Sequence, residues 1–123
     1  MYLLDSSVAI EMMTRGKRSE TALSFIGSKE IGISSPTVHE ILTGIENTDE
    51  NWNKLITHVA ILDYDKQCAE ISARIDRELT KKGIKLGIFD MLIASVAIKN
   101  KLTLVTFDKA FSRVKDLDVK ILS

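Results

Sequence analysis

The stretch GIFDMLIASVAIKNKLTLVTFDKAF, residues 87–111, carries the order of elements that decides the fold. Its first half is apolar on every side. Ile88, Phe89, Met91, Leu92, Ile93, Ala94, Val96, Ala97 and Ile98 leave no polar face, which is the pattern of a buried helix. After Lys101, LTLVT is a short apolar run that reads as a buried strand, and FDKAFSRV reads as a helical turn. Asp90 interrupts the helix, with Leu86, Gly87, Ile93 and Ala94 as its neighbours three and four residues away and no cation among them. A second acid, Asp108, lies just past the strand.

Working outward, the same alternation of strand and helix fills the chain. MYLLD is a strand ending at an acid, and SSVAIEMM a helix with serines available for capping. KRSETALSFIGSKE puts Ala22, Leu23, Phe25 and Ile26 on a helical period, IGIS is a short strand, and SPTVHEILTGIEN is a helix with Pro36 in its first turn. ENWNKLITH is a short helix and VAILD another apolar run ending at an acid. DKQCAEISARIDRELTKKG is a long amphipathic helix that stops at Gly83, its buried stripe marked by Ala69, Ser72, Ile75 and Leu79. VKIL is the last strand. Strands alternating with helices imply parallel strands, right-handed crossovers and helices on both faces: an α/β fold in a three-layer sandwich.

Composition agrees with one compact domain spanning 1–123, since 45% of the residues are apolar and that suffices for a single core. Lys plus Arg equals Asp plus Glu, 17 against 17, so any contact with nucleic acid must be local rather than driven by a global field. The single Cys68 has no internal disulfide partner, and MYLLDSSVAI lacks the basic flank and length of a signal or membrane span. The expectation is a cytoplasmic protein with no membrane contact.

Ligands of open α/β sheets sit at the carboxyl ends of the strands, near the point where strand order reverses. Asp5, Asp63 and Asp108 each fall at such an end by local sequence. An aspartate there is often only the cap of the next helix, and for Asp63 a cap or turn is the preferred reading. Asp90 is different, because an ionised carboxylate on a buried helix is costly unless paired. It either caps a helix that begins one turn later, or meets Asp5 and Asp108 at the strand edge. Acids gathered there without bases repel one another unless a divalent cation holds them, and oxygen ligands select Mg²⁺ or Mn²⁺. His39, His58 and Cys68 show no zinc spacing. Such a site suits cleavage of phosphodiesters. A receiver domain would need an acidic pair after the first strand, where LLDSSV stands, and a haloacid-dehalogenase-type phosphatase would need Asp at Ser7.

With Asp5, Asp90 and Asp108 in this order, the chain resembles the PIN-domain ribonucleases, and in size the VapC toxins of prokaryotic toxin–antitoxin pairs. YLLDSSV (2–8), SPTVHEILTG (35–44) and residues 87–111 carry the resemblance. It implies a five-stranded parallel sheet and Mg²⁺- or Mn²⁺-dependent RNA cleavage, with Asp5, Glu40, Asp90 and Asp108 as the metal-binding acids and Ser6 and Thr106 as supporting hydroxyls. It also implies a cognate antitoxin protein and a homodimer. Two features stand apart from it. Val38, Ile41, Leu42 and Ile45 form the apolar stripe of the Glu40 helix, so periodicity alone turns Glu40 to solvent. Phe107 follows Thr106 where the family often has Asn or another polar residue.

Weaker signals surround these. Arg15, Lys17 and Arg18, with Lys109 and Arg113, are candidates for RNA phosphate contacts, as are Lys81, Lys82 and Lys85, although charge runs are usually solvated loops. Met12, Met13, Phe25 and Ile26 read as core first and as a partner surface second. Trp52 is open between interface anchor and sheet cover. The runner-up to a nuclease is a catalytically silent PIN-like or receiver-like interaction module, in which the acids are caps and partner-binding groups.

Overall fold

The computed structural model describes all 123 residues. Its elements are β1 (Tyr2–Leu4), α1 (Ser6–Thr14), α2 (Ser19–Ile26), β2 (Ile31–Ser34), α3 (Ser35–Leu42), α4 (Glu50–Ile56), β3 (Ala60–Leu62), α5 (Lys66–Lys81), α6 (Ile88–Asn100), β4 (Thr103–Thr106), a 3₁₀ turn over Lys109–Arg113, and β5 (Val119–Ile121). The five strands form one parallel sheet in the order β3-β2-β1-β4-β5, with Leu3 of the central strand opposite Gly32 and Leu104.

Strand alternation sends side chains to two cores. Leu3 and Leu104 face one way, onto Cys68, Ile75 and Leu79 of α5 and Ile93, Val96 and Ala97 of α6. Leu4 and Val105 face the other way, onto Val8 and Ala9 of α1, Ala22 and Ile26 of α2, Ile41 of α3, and Trp52 and Leu55 of α4. Each large apolar side chain taken fully out of water contributes roughly 1.5–3 kcal/mol, and the three-layer arrangement follows from covering both faces. The α/β sandwich and its five parallel strands are as the sequence and the resemblance indicated.

Local chemistry sets the helix ends. Asp5, Ser34, Asp49 and Asp65 accept backbone N–H bonds at the starts of α1, α3, α4 and α5. Gly83, at φ +68°, turns the chain after α5. Three expectations are corrected. Leu23 is 54% exposed, because Ala22 and Ile26 take the side of the short α2 that reaches the sheet. Cys68, not Ala69, completes the buried stripe of α5, since 68, 72, 75 and 79 fall on one helical face and Ala69 lies a third of a turn away. Asp63 caps nothing; the cap belongs to Asp65. Trp52 is buried in the core beneath α4. No helix is long and apolar enough to cross a membrane.

Candidate active site

From β1 the chain moves outward to β2 and β3, then crosses back so that β4 pairs with the other side of β1. Strand order therefore reverses between β1 and β4, and their carboxyl ends open a crevice there. Asp5 directly follows β1, Thr106 ends β4, and Asp108 lies two residues past it. The Asp5 N–H donates to the Val105 carbonyl (3.1 Å), continuing the sheet ladder into the site.

Asp5 is 4% exposed and fully engaged. Its Oδ1 accepts from the Val8 N–H (3.0 Å) and the Ser7 hydroxyl (2.7 Å), and its Oδ2 from the Thr106 hydroxyl (2.5 Å). Thr106 Oγ1 accepts in turn from the Asp108 N–H (3.0 Å), so one hydroxyl joins both strand ends. Burial pushes the Asp5 carboxyl up, these bonds pull it back, and Asp108 adds to the rise.

Asp90 arrives from the other side on the first turn of α6, whose cap position is Gly87. The helix begins at Ile88, so Asp90 is not its cap. No group donates a hydrogen bond to the Asp90 carboxylate and no cation pairs with it. Burial, then Asp108, Asp5 and Glu40, push it up to about 6. The missing partner of this acid is thus replaced by three further acids.

Glu40 departs from the periodicity argument. The Ser6 hydroxyl donates to its Oε1 at 2.5 Å, turning a half-buried carboxylate toward α1 and the strand edge instead of toward solvent. The Thr37 hydroxyl lies 3.2 Å from both the Ser6 and Ser34 oxygens and braces this contact. Stripe counting could not find it, because the contact partner is 34 residues away in sequence. Ser7 and Thr37 join the site as hydroxyls that no spacing singles out; the doubled serine after Asp5 is the one local signal.

The polar side-chain atoms gathered at this edge are oxygens, and no base neutralises the carboxylates, which is the donor chemistry that suits a hard divalent cation. The four carboxylates repel one another electrostatically but do not surround one point: no three carboxylate, imidazole or thiolate groups are poised around a single ion. Asp90, free of hydrogen bonds, can turn; Asp5, held by three donors, cannot do so freely. The edge is open rather than enclosed. A groove of about 410 Å³ lies instead between α1, α2 and α4, lined by Met12, Met13, Leu23, Ile26 and Leu55 and rimmed by Arg15. Chemistry and acid clustering, not cavity shape, locate the site.

A PIN domain model matches residues 2–117. The chain belongs to the PIN-domain family. Among PIN proteins, Ribonuclease VapC1 of Rickettsia felis is 33% identical over 98% of this chain and 96% of its own length. The tRNA(fMet)-specific endonuclease VapC of Shigella flexneri is 28% identical over 94% of this chain and 93% of its own. Among solved structures, VapBC2 of Rickettsia felis bound to a DNA fragment from its promoter superposes with a TM-score of 0.83 at 27% identity, covering 99% of this chain and 98% of that one. The PIN domain is a nuclease domain, these relatives are ribonucleases of the VapC kind, and PIN nucleases work with a divalent metal ion.

The cations singled out in the sequence lie on the connections and turns of the PIN fold. Arg15, Lys17 and Arg18 form the α1–α2 connection, and Lys109 and Arg113 bound the 3₁₀ turn after Asp108. None pairs with a carboxylate. Lys81, Lys82 and Lys85 lie exposed between α5 and α6, on the approach to Asp90.

Proposed function

We propose that residues 1–123 form one PIN-like domain whose RNA-cutting centre is Asp5, Glu40, Asp90 and Asp108, loaded with Mg²⁺ or Mn²⁺. The observation that carries this is the Asp90 carboxyl, pushed up to about 6 by burial and by three acids with no cation beside it. Such a carboxylate is most stable as a ligand. Asp5 and Asp90 would hold the ion, Glu40 would reach it directly or through water, and Asp108 would help a second ion or orient the nucleophile. When bound, the metal supplies an activated water and offsets charge developing on the phosphate.

The chain's own contribution is orientation. Thr106 and Ser7 fix both oxygens of Asp5, and Ser6 fixes Glu40. Water attack in line leaves a 5′-phosphate and a 3′-hydroxyl. Arg15, Lys17, Arg18, Lys109 and Arg113 supply the phosphate contacts that position the strand.

The same reading makes the protein the toxin of a type II pair in the cytoplasm. A cognate antitoxin protein would cover the groove between α1, α2 and α4, and the toxin itself would be a homodimer. The VapBC2 complex, a similar chain crystallised with its partner, supports the pairing.

The test is cleavage of a mixed, end-labelled RNA pool by purified protein with Mg²⁺ or Mn²⁺, against EDTA and against Asp90→Asn. Cutting should need metal and fall by about 100-fold or more in the variant. Metal-independent cutting, or full activity in Asp90→Asn, would refute the assignment.

A further inference from the structure

Phe107 stands between Thr106 and Asp108, just past the end of β4, and its position explains what a ring can do there. Thr106 belongs to the acid side of the sheet through its bond to Asp5. Alternation then turns Phe107 to the opposite face, where it packs partly buried against the core under α1 and α2. The guanidinium carbon of Arg18 lies 3.9 Å from the centroid of that ring. Arg18 is exposed and has no carboxylate partner, so its charge is held by an aromatic face, which leaves the in-plane N–H donors free.

The loop that presents Arg18 is itself fastened. The Arg18 N–H donates to Glu11 Oε1 at 2.7 Å, and the Gly16 N–H donates to the Glu11 carbonyl at 2.9 Å. A Cβ on Gly16 would overlap the Glu11 carboxylate as it stands, so a side chain there would displace the acceptor of the Arg18 N–H. Arg15 ahead of it takes the left-handed conformation at φ 53°. Backbone clasp and ring stack together hold a planar, forked donor over Phe107, the residue that precedes Asp108 in the chain.

We infer that Phe107 and Glu11 hold Arg18 as a preset clamp for a phosphate of single-stranded RNA next to the scissile bond, with Phe107 as its positioning residue. The inference rests on the ribonuclease reading for the location of the scissile bond, but not for the contact itself. Arg18 belongs to substrate binding; Phe107 and Glu11 act through it. A bidentate fork suits phosphate better than a point charge does, and a stacked guanidinium loses little freedom when it engages.

The experiment measures anisotropy of a fluorescein-labelled, mixed-sequence single-stranded RNA in EDTA across a salt series, for the wild type, Arg18→Ala, Arg18→Lys, Phe107→Leu and Lys115→Ala. Lys115 is an exposed cation before β5, at the opposite end of the sheet, and controls for charge alone. Arg18→Ala should bind about tenfold more weakly, and its slope of log affinity against log salt should fall by about 0.7, the value of one lost phosphate contact. Arg18→Lys should keep the slope while binding less tightly, and Phe107→Leu should weaken binding in the wild type but add no further loss in an Arg18→Ala/Phe107→Leu double variant, also measured. Equal affinity and slope in wild type and Arg18→Ala, an equal loss in Lys115→Ala, or no RNA binding by the wild type would overturn the inference. A parallel Mn²⁺ cleavage assay separates the two ideas: cutting with an indifferent Arg18 sinks the clamp alone. Arg18-dependent binding without cutting sinks the nuclease centre and leaves the clamp.

Discussion

At the residue scale, capping and metal binding are not rival roles. Asp5 accepts the Val8 N–H as the cap of α1, and Asp108 accepts the Ala110 N–H as the cap of the following turn, yet both raise the Asp90 carboxyl through their charge. Capping leaves lone pairs over, because a carboxylate has about four acceptor sites. Asp90 caps nothing and accepts nothing, so its whole environment is unfavourable to its charge. The consequence for stability has a definite sign. Its folded pKa is raised from 3.8 to about 6, so the protonated form is favoured by folding. The associated stability is present below about pH 4, declines as pH rises, and is gone above about pH 6. Half exposure reduces the cost to roughly 1–3 kcal/mol. In EDTA-treated protein Asp90→Asn should therefore be more stable than wild type by about that amount at pH 7.5, with the gap closing by pH 4. Urea unfolding at the two pH values checks this; a variant less stable at pH 7.5 would make Asp90 a structural acid.

Among the elements, α5 and α6 are tied by one charged contact on top of their apolar seam. Asp65 caps α5 through the Cys68 N–H (3.0 Å) and its Oδ2 meets Lys99 Nζ of α6 at 2.7 Å. The Lys99 bond holds the Asp65 carboxyl well below the usual range, and Asp65 in turn raises the Lys99 ammonium above 10.5. Such a pair contributes above the unfolded carboxyl pKa near 4 and below the unfolded ammonium pKa near 10.5. Lys99→Met should accordingly lower the melting temperature at pH 7, and the difference from wild type should shrink as pH falls below about 4. A difference that persists unchanged into acid would assign the effect to lost packing of the lysine stem. Most of α6 was legible before the structure because its apolar residues run all the way round. The faces of α2 and α5 were less so: Leu23 and Ala69 satisfy a helical period, but only one side of each helix reaches the sheet.

For the whole molecule, the parallel sheet with its order β3-β2-β1-β4-β5 gathers carboxylates from positions 5, 40, 90 and 108 at one edge. On the proposed metal reading, a cation bound there would release their mutual repulsion, which would link metal binding to folding stability. Mn²⁺ at about 100 times its Kd should stabilise the wild type by about 2.7 kcal/mol, several degrees in melting temperature for a domain of this size. Asp90→Asn should show little of that shift. An equal rise in both proteins, followed by scanning calorimetry, would move the metal away from this edge.

The sequence by itself determined the alternation of strands and helices, the strand-end acids Asp5 and Asp108, and the anomaly of Asp90, because each depends on residues within a few positions of one another. Periodicity and turn chemistry are local, and the reversal rule for α/β sheets turns them into a place on the fold. Only the tertiary structure decided that Glu40 turns to Ser6 across 34 residues, that Thr106 joins Asp5 across 101, and that Arg18 lies over Phe107. Those contacts depend on which sheet face each strand presents and how each helix is rotated against it. Packing of the two cores sets that rotation, and no short window of sequence contains it.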